Sequence, residues 1–303
     1  NNFVIWIKRS KDLIDCSNRK LSDTYENLEK TRNNIYQSMS DYIYYNNNKP
    51  EDFVKWLKLI LFPQPLPTDS TFLCKTNTSY EPTISNYIEL RGDLMDNYGL
   101  NSIQDTMINF NRPCLYTLRT EKEGGKFNGS PNEYISIIKK AIKYGSKIVD
   151  IEVAQDIDIL EDNIDQIGSI HTNDYDYLTD NINKINKSIW KVVTSDLNCH
   201  KLLTNYNNLS NSIVIDNSST KYRTKNKFLT PISSSISEST APNQLNYSKY
   251  LQSAYQDNNR KFIFLFGNNI GESPSSYIHN YVINKNNKDT NISYLNYETS
   301  EIT

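Results

Sequence analysis

The chain has 303 residues, 37% of them hydrophobic, and a formal net charge of -2. This length predicts about two domains with buried cores, and the near-neutral charge, with no cluster of lysines and arginines among aromatic residues, argues against a nucleic-acid-binding protein. The longest apolar run, residues 53–62, contains two lysines and is too short to span a membrane. We therefore expect neither nucleic acid nor a membrane as a partner.

The start of the chain predicts that it is part of a longer polypeptide, and the spacing of its cysteines indicates the compartment in which it is found. Asn1 is not preceded by a methionine or followed by a signal-like segment, which predicts a piece of a longer polypeptide. The four cysteines, Cys16, Cys74, Cys114 and Cys199, are far apart and form no CxxC pair. This spacing argues against a zinc site and favours a reducing compartment, so we expect a cytoplasmic protein with no metal.

The first 62 residues form a separate block. The pattern predicts a strand over 3–7, a polar helix over about 21–36, and an amphipathic helix from about Asp52 to Phe62. The proline-rich stretch 63–67 then breaks regular structure and is typical of a linker. We therefore predict a domain boundary after residue 62.

From about residue 71 to 252, alternating strand and helix patterns predict a parallel sheet wound with helices. The predicted strands are 87–91, 114–119, 147–153, 167–171, 189–194, 212–216 and 228–232. One helix is well marked, with Ser130 as N-cap, Pro131 at the first helical position, Glu133 completing a capping box, and Gly145 at its end. A strand at 261–267 opens a last block, 258–303, which is too short for a complete α/β domain.

Polar side chains recur near the carboxyl ends of the predicted strands. Residues two apart in a strand share a face, which groups the following side chains strand by strand: Glu89 with Arg91 and Asp93, Thr117 with Arg119, Asp150 with Glu152, Ser169 with His171, and Lys191. Each alone has an ordinary explanation as a salt bridge, a solvated end residue or a hydrogen-bonded structural histidine. Their order along successive strands favours a shared site, because the carboxyl ends of barrel strands are where active sites form.

Lys191 lies within Ser-Ile-Trp-Lys-Val-Val, a run that otherwise predicts a buried strand. An ammonium without a partner is costly to bury, so burial would favour the neutral amine, the form that attacks a carbonyl to make a Schiff base. The alternative is a strand-end lysine whose ammonium reaches solvent. The sequence of this strand alone leaves both open.

A series of short motifs resembles type I 3-dehydroquinate dehydratase, in the form found within the fungal pentafunctional arom polypeptide. In chain order the matching stretches are 89–91, 117–120, 123–127, 149–152, 168–171, 190–193, Arg223, 229–232 and 241–244. They cover nearly all of the middle block. The resemblance implies an α/β protein whose centre, residues 71–252, is a (β/α)8 barrel.

The resemblance also implies the reaction, the dehydration of 3-dehydroquinate to 3-dehydroshikimate in aromatic amino acid biosynthesis. Lys191 would form a Schiff base with the ring ketone, His171 would act as general base and acid, and Glu123 would orient the histidine. The substrate-binding residues implied are Glu89, Arg91 and Arg119 for the ring hydroxyls, and Arg223 with Gln244 for the carboxylate and neighbouring oxygens. No metal or cofactor is implied for this reaction.

The flanks resemble the neighbouring arom domains. Residues 1–62 are similar to the end of a shikimate kinase, with Arg19 and Arg32 at positions that bind shikimate or form its lid, and 258–303 are similar to the start of a shikimate dehydrogenase. No GxxxxGK[ST] or GxGxxG loop occurs in the chain, so ATP and NADP would belong to the incomplete flanking domains. The resemblance implies other arom domains as partners within one polypeptide and leaves a homodimer open.

Several positions depart from the family pattern, and one alternative function follows from them. Asp216, Ser219 and Asn243 stand where the family has glycine, and we expect Asp216 and Ser219 to need backbone angles that glycine adopts more freely. Thr172 replaces an acid that usually follows the histidine. Regulatory relatives that repress quinate use are built from the same domains, so a non-catalytic metabolite sensor is the alternative hypothesis.

Overall fold

A computed structural model describes residues 3–9, 25–47, 49–62, 71–79, 83, 85–155, 164–182, 189–206, 212–217, 230–233, 239–241, 243–258, 261–267, 270, 273–275, 278–279, 282–283 and 292–298. Within these ranges no helix is both long enough and apolar enough to cross a bilayer.

The centre of the molecule is a nine-stranded parallel sheet. Its strands are β3 (Thr71–Lys75), β4 (Tyr87–Arg91), β5 (Cys114–Thr117), β6 (Ile148–Glu152), β7 (Asp165–His171), β8 (Ile189–Thr194), β9 (Ser212–Asp216), β10 (Thr230–Ser233) and β11 (Leu245–Asn246). Neighbours follow the order β11-β10-β3-β4-β5-β6-β7-β8-β9. Counted from β3, β10 is the eighth strand of the barrel, and it pairs with β3, the first. The predicted barrel class is therefore confirmed.

Helices follow the strands on the outside of the sheet. They are α3 (Ser102–Phe110), α4 (Pro131–Lys143), α5 (Tyr175–Ile182), α6 (Leu197–Tyr206) and α7 (Tyr247–Asn258). The predicted start of α4 is confirmed, since the Ser130 hydroxyl accepts a hydrogen bond from the amide of Glu133 and Pro131 is the first helical residue. Side chains that point inward from the strands form a separate core, which includes Phe72, Leu115, Ile167 and Ile213.

The N-terminal block packs directly on the barrel. It contains β1 (Ile5–Lys8), α1 (Tyr25–Met39), β2 (Tyr42–Tyr45) and α2 (Pro50–Leu61), and β1 pairs with β2 in parallel. Trp56 of α2 is fully buried, and its indole nitrogen donates to the carbonyl of Tyr144 at 3.3 Å. The two parts therefore share one hydrophobic core.

Gly145 allows this close approach. It adopts φ +110, and a Cβ there would lie 2.7 Å from the indole nitrogen of Trp56. Lys143 adds a second link, because its ammonium donates to the carbonyls of Gln37 and Ser40. A residue that the sequence marks as the end of a helix therefore also makes room for the neighbouring block.

The C-terminal block contributes a second two-stranded parallel sheet, β12 (Lys261–Gly267) and β13 (Ile292–Glu298). Leu295 of β13 is buried in a cluster with Ile232, Leu245 and Tyr250 from the end of the barrel. The division of the chain into domains at 62 and 258 stays a prediction.

Several boundaries differ from the sequence expectations. The sequence analysis does not predict the strands β2, β3, β11 and β13. The first strand begins at Ile5 rather than Phe3, and β5 ends at Thr117 rather than Arg119. The strand predicted at 228–232 lies at Thr230–Ser233 in the described part. Arg119 therefore leaves the sheet just after β5, which allows its side chain to turn across the end of the barrel.

Candidate active site

A cavity of about 410 Å³ opens at the carboxyl ends of the barrel strands. Among the predicted site residues, the following line it: Glu89, Arg91, Arg119, Glu123, His171, Lys191 and Gln244. The structure thus brings together residues from positions 89 to 244 of the chain. Arg223 lies outside the described residues.

Lys191 is buried, with 6% of its surface exposed, but it has a partner. Its ammonium donates to Asp150 Oδ2 at 2.8 Å. Lys191 is therefore buried with a carboxylate partner, and the alternative of a lysine whose ammonium reaches solvent is wrong. Burial alone would raise the pKa of Asp150, but the charges of Arg119 and Lys191 outweigh it and hold that pKa far below its ordinary value. Asp150 is consequently a fixed negative charge beside the lysine.

Arg119 is the second buried cation, and its guanidinium contacts three carboxyl groups. Its Nη2 contacts Asp150 at 2.9 Å, while its Nη1 contacts Glu123 at 3.0 Å and Glu152 at 3.3 Å. Burial opposes the charged form, yet these carboxylates raise the pKa of Arg119, so it remains a cation. Nη1 also donates to Ser169 at 2.9 Å, so protein groups already use much of its donor capacity.

His171, at the end of β7, is held through its Nδ1 atom. That atom lies 3.2 Å from the main-chain carbonyl of Glu123. A carbonyl oxygen only accepts, so Nδ1 must carry the proton and the neutral ring keeps its lone pair on Nε2. Nε2 is buried and has no hydrogen-bond partner in the part of the chain that the structure describes. Burial, followed by the positive charges of Arg119 and Lys191, lowers the pKa of His171 well below its ordinary value, which favours this neutral base.

A turn with two glycines positions the carbonyl that contacts His171. The turn Glu121–Glu123 ends at Gly124, which adopts φ +84. The amide of Gly125 donates to the carbonyl of Thr120 at 2.7 Å, and a Cβ on Gly125 would come within 2.1 Å of the carbonyl oxygen of Arg119. This pair of glycines therefore permits a tight turn at the edge of the cavity rather than an ordinary surface loop.

In the described part of the chain, the Glu123 carboxyl group makes no hydrogen bond to His171. Its Oε2 accepts from Arg119, and its Oε1 is buried without a partner among the described residues. Burial raises the pKa of Glu123 to about 8, assisted by the nearby Glu152 and Asp150 and opposed by Arg119. The prediction that this carboxyl group orients the histidine is therefore not reflected in the geometry, where the carbonyl of the same residue takes that position.

The remaining predicted binding residues lie around the mouth of the cavity. Arg91 binds Asp93 through two nitrogens, both at 2.9 Å, and also donates to the carbonyl of Thr240 at 3.1 Å. Glu89 accepts from the Thr117 hydroxyl at 2.7 Å. These contacts fix both side chains before any substrate binds.

Gln244 is held by the loop in which it lies. Its Oε1 accepts from the amide of Thr240 at 2.8 Å, and its Nε2 donates to the sulfur of Cys74 at 2.8 Å. Cys74 belongs to the unpredicted strand β3 and also lines the cavity. Sequence reasoning missed it because the strand itself was missed.

The departures from the family pattern have different outcomes. Asn243 adopts φ +53, so it takes a left-handed conformation like the glycine it replaces, which asparagine tolerates better than most residues. Asp216 ends β9 and is not among the described residues with positive φ, so the expected strain there is wrong. Ser219 lies outside the described residues, as do Cys16 and Arg19. Over the described ranges, no group of three His, Cys, Asp or Glu side chains is arranged to hold a metal ion.

Fold and site together define a class of protein, a (β/α)8 barrel with a buried lysine and a neutral histidine at the mouth of one cavity. The profile of the type I 3-dehydroquinase family matches residues 76–232, just over half of the chain. The chain belongs to that family.

Individual relatives agree with this assignment. The pentafunctional AROM polypeptide of Candida tropicalis is 23% identical over 181 residues, covering 54% of this chain and 11% of the relative. The 3-dehydroquinate dehydratase of Methanococcus maripaludis is 37% identical over 70 residues, covering 23% of this chain and 30% of the relative. The chain therefore spans less than a third of the length of either protein.

The fold is also found among solved structures. The dehydroquinate dehydratase and shikimate dehydrogenase from S. pombe AroM aligns with a TM-score of 0.51 and 21% identity, covering 77% of this chain and 53% of that chain. At this identity the likeness supports the fold alone.

Proposed function

We propose that the chain catalyses the dehydration of 3-dehydroquinate to 3-dehydroshikimate through a Schiff base on Lys191. The observation that carries the proposal is the placement of Lys191 and His171 in one cavity, with the unpartnered Nε2 of the histidine buried in the described part of the chain. Family membership supports the reaction type. The relatives named 3-dehydroquinate dehydratase support the substrate.

The chemistry follows from these groups. The neutral amine of Lys191 attacks the ring ketone, and loss of water gives an iminium ion. Nε2 of His171 then removes a proton from the adjacent carbon, and the electron pair forms an enamine. The enamine expels the ring hydroxyl, which leaves as water with the proton returned by the imidazolium. Hydrolysis of the new iminium releases the enone product and restores the amine, so no cofactor enters the balance.

Asp150 has a defined part in this sequence. Its carboxylate lies 2.8 Å from the lysine nitrogen and keeps its charge. It stabilises the ammonium of the resting site, which must lose a proton before attack, and it would stabilise the positive iminium in the same way. The ion pair thus slows the first step and favours the intermediate on which the second step depends.

The same ion pair favours a second candidate, a metabolite sensor that binds the substrate without turning it over. A lysine kept as an ammonium does not attack a carbonyl, and the protein contacts of Arg91 and Arg119 leave fewer donors for a substrate. A purified chain that binds 3-dehydroquinate in calorimetry but forms no product would support this candidate.

Turnover tests the proposal. The full chain is mixed with 3-dehydroquinate, and the ultraviolet absorbance of the conjugated enone product is followed. We expect turnover by the wild type and none by Lys191→Ala, with circular dichroism showing that the variant is folded. Equal turnover by the two would contradict the Schiff base.

We also propose that the chain is a section of an arom-type polypeptide. The support is the similarity to the Candida tropicalis protein, of which it would span 11%, and the shared fold with the two-domain S. pombe structure. The kinase-like and dehydrogenase-like nature of the flanks, and any use of ATP or NADP by them, belong to this proposal. Transcript sequence beyond both ends of the chain tests it.

A further inference from the structure

A second cavity, of about 230 Å³, lies where the N-terminal block meets the barrel. One side of it is formed by residues of β1, α1 and β2, and the other by the turn Asp96–Gly99, the residues just before α3, and α4 with its end. In the part of the chain that the structure describes, this cavity and the active-site cavity have no lining residue in common. The junction cavity is therefore a separate place where a ligand could bind.

The charges around the junction cavity are positive. Lys8 from β1 and Lys140 from α4 line it, and no aspartate or glutamate among the described residues does. Lys8 lies against two rings, with its Nζ 5.3 Å from the centre of the Trp6 ring and 5.6 Å from that of Tyr45. Within the described ranges neither ammonium has a carboxylate partner. An ammonium has three hydrogens to donate and a ring face supplies no negative charge, so the cavity favours an anion.

Neutral groups add further donors to the lining. The hydroxyls of Tyr45 and Tyr144 lie 3.0 Å apart, and since only one hydrogen can lie between them, one phenol can still donate to a ligand. Burial, followed by the hydrogen bond with Tyr45, raises the pKa of Tyr144, so this phenol keeps its hydrogen at neutral pH. The side-chain amides of Gln37, Asn97 and Asn101 also line the cavity, and none makes a side-chain hydrogen bond to another described residue. The polar part of the lining thus suits a group that accepts several hydrogen bonds.

The rest of the lining is apolar. Ile43 is 3% exposed, and Leu100 and the Trp6 ring are half-buried. A bare inorganic anion would leave this apolar surface in contact with water, whereas a flat ring would cover it. The volume of about 230 Å³ is below the roughly 300–1,000 Å³ of sites for drug-sized ligands, so the cavity suits one ring rather than two.

We propose that the junction cavity binds a monocyclic aromatic carboxylate, whose carboxylate contacts Lys8 and Lys140 and whose ring packs against Trp6. One ammonium comes from the N-terminal block and the other from the barrel, so the ligand bridges the two parts of the chain. Lys8, which is half-buried, contributes more than the exposed Lys140, because exposed charges are screened by solvent. The inference does not depend on the proposed dehydration, since the two cavities are separate.

Isothermal titration calorimetry of the full chain tests the site, with benzoate as the probe. We expect the wild type to bind benzoate, Lys8→Gln to bind it about tenfold more weakly, and Lys140→Gln to lose about threefold, because each variant removes a charge-assisted hydrogen bond. Lys139→Gln is the matched control, since Lys139 is the exposed neighbour on α4 and does not line the cavity, and it should follow the wild type. Benzyl alcohol, which lacks the charge, and inorganic phosphate, which lacks the ring, should each bind the wild type at least about tenfold more weakly than benzoate.

Any of three results would overturn the inference. The first is a wild type that does not bind benzoate. The second is wild-type affinity in Lys8→Gln or Lys140→Gln, with circular dichroism showing a folded variant, which would place benzoate elsewhere, including the active-site cavity. The third is benzyl alcohol or phosphate binding as tightly as benzoate, which decides the matter on the wild type alone even if the variants fail to fold. Turnover of 3-dehydroquinate enters none of these measurements, so a failure of the proposed dehydration is a distinct outcome.

Discussion

Replacement of Asp150 by asparagine removes the charge that connects the two buried cations of the site. Asp150 Oδ1 lies 2.9 Å from Arg119, and Oδ2 lies 2.8 Å from Lys191. Asparagine preserves the shape of the side chain but leaves both cations without this counter-charge. Arg119 would retain the carboxylate of Glu152, whereas Lys191 has no other carboxylate partner among the described residues.

The expected cost follows from burial. Removing one member of a buried ion pair typically destabilises a protein by about 3–5 kcal/mol, because the remaining charge stays desolvated. Lys191 is 6% exposed, so solvent cannot replace the lost carboxylate. We therefore expect Asp150→Asn to reduce the free energy of unfolding by about 3–5 kcal/mol, a large share of the roughly 5–15 kcal/mol of a typical domain.

Urea unfolding at pH 7 measures this cost. Asp180→Asn, an exposed aspartate on α5, is the matched control and should change stability by less than about 0.5 kcal/mol. The pKa of Asp150 is depressed in the folded state, so its stabilisation is complete above the unfolded value of about 4 and declines as pH falls below it. The difference between wild type and Asp150→Asn should therefore shrink in acid. An Asp150→Asn variant as stable as Asp180→Asn would refute the ion pair.

Two further substitutions test other parts of the account. His171→Ala should reduce kcat by about two to four orders of magnitude, as removal of a general base does, while the variant should still form the adduct on Lys191. His279→Ala, outside the cavity, is the control and should leave kcat unchanged. An unaltered kcat in His171→Ala would remove the histidine from the mechanism. Trp56→Ala should lower the free energy of unfolding, measured by heat or urea, by about 3–5 kcal/mol, because its fully buried indole joins the N-terminal block to the barrel. Trp6→Ala, at a half-buried ring, should lower it clearly less. Equal losses in the two variants would contradict the shared core.

The parallel barrel could be predicted because its strands carry short-range signals. Period-two alternation identified the strand faces that hold Asp150, Ser169 and Lys191, and the capping residues of α4 fixed its start. β3 escaped prediction because Thr71–Lys75 follows a proline-rich stretch and ends in a lysine. Lys75 is nevertheless buried, with its ammonium 5.9 Å from the Phe110 ring.

The partner of Lys191 could not be predicted, because it depends on the tilt of the barrel. The strand register places Glu152, Ser169 and Lys191 in one row across β6, β7 and β8. The lysine instead binds Asp150, two residues earlier on β6. Side chains from alternate barrel strands share interior layers, and no pattern within one strand specifies which two will meet.

The central claim is that Lys191 forms a covalent Schiff base with a cyclic keto acid. Borohydride added to the full chain with 3-dehydroquinate should reduce the iminium and leave a stable adduct, which peptide mass spectrometry should locate on Lys191 and which should be absent from Lys191→Ala. A chain that is folded and binds 3-dehydroquinate but carries no adduct, or carries it on another lysine, would contradict the account.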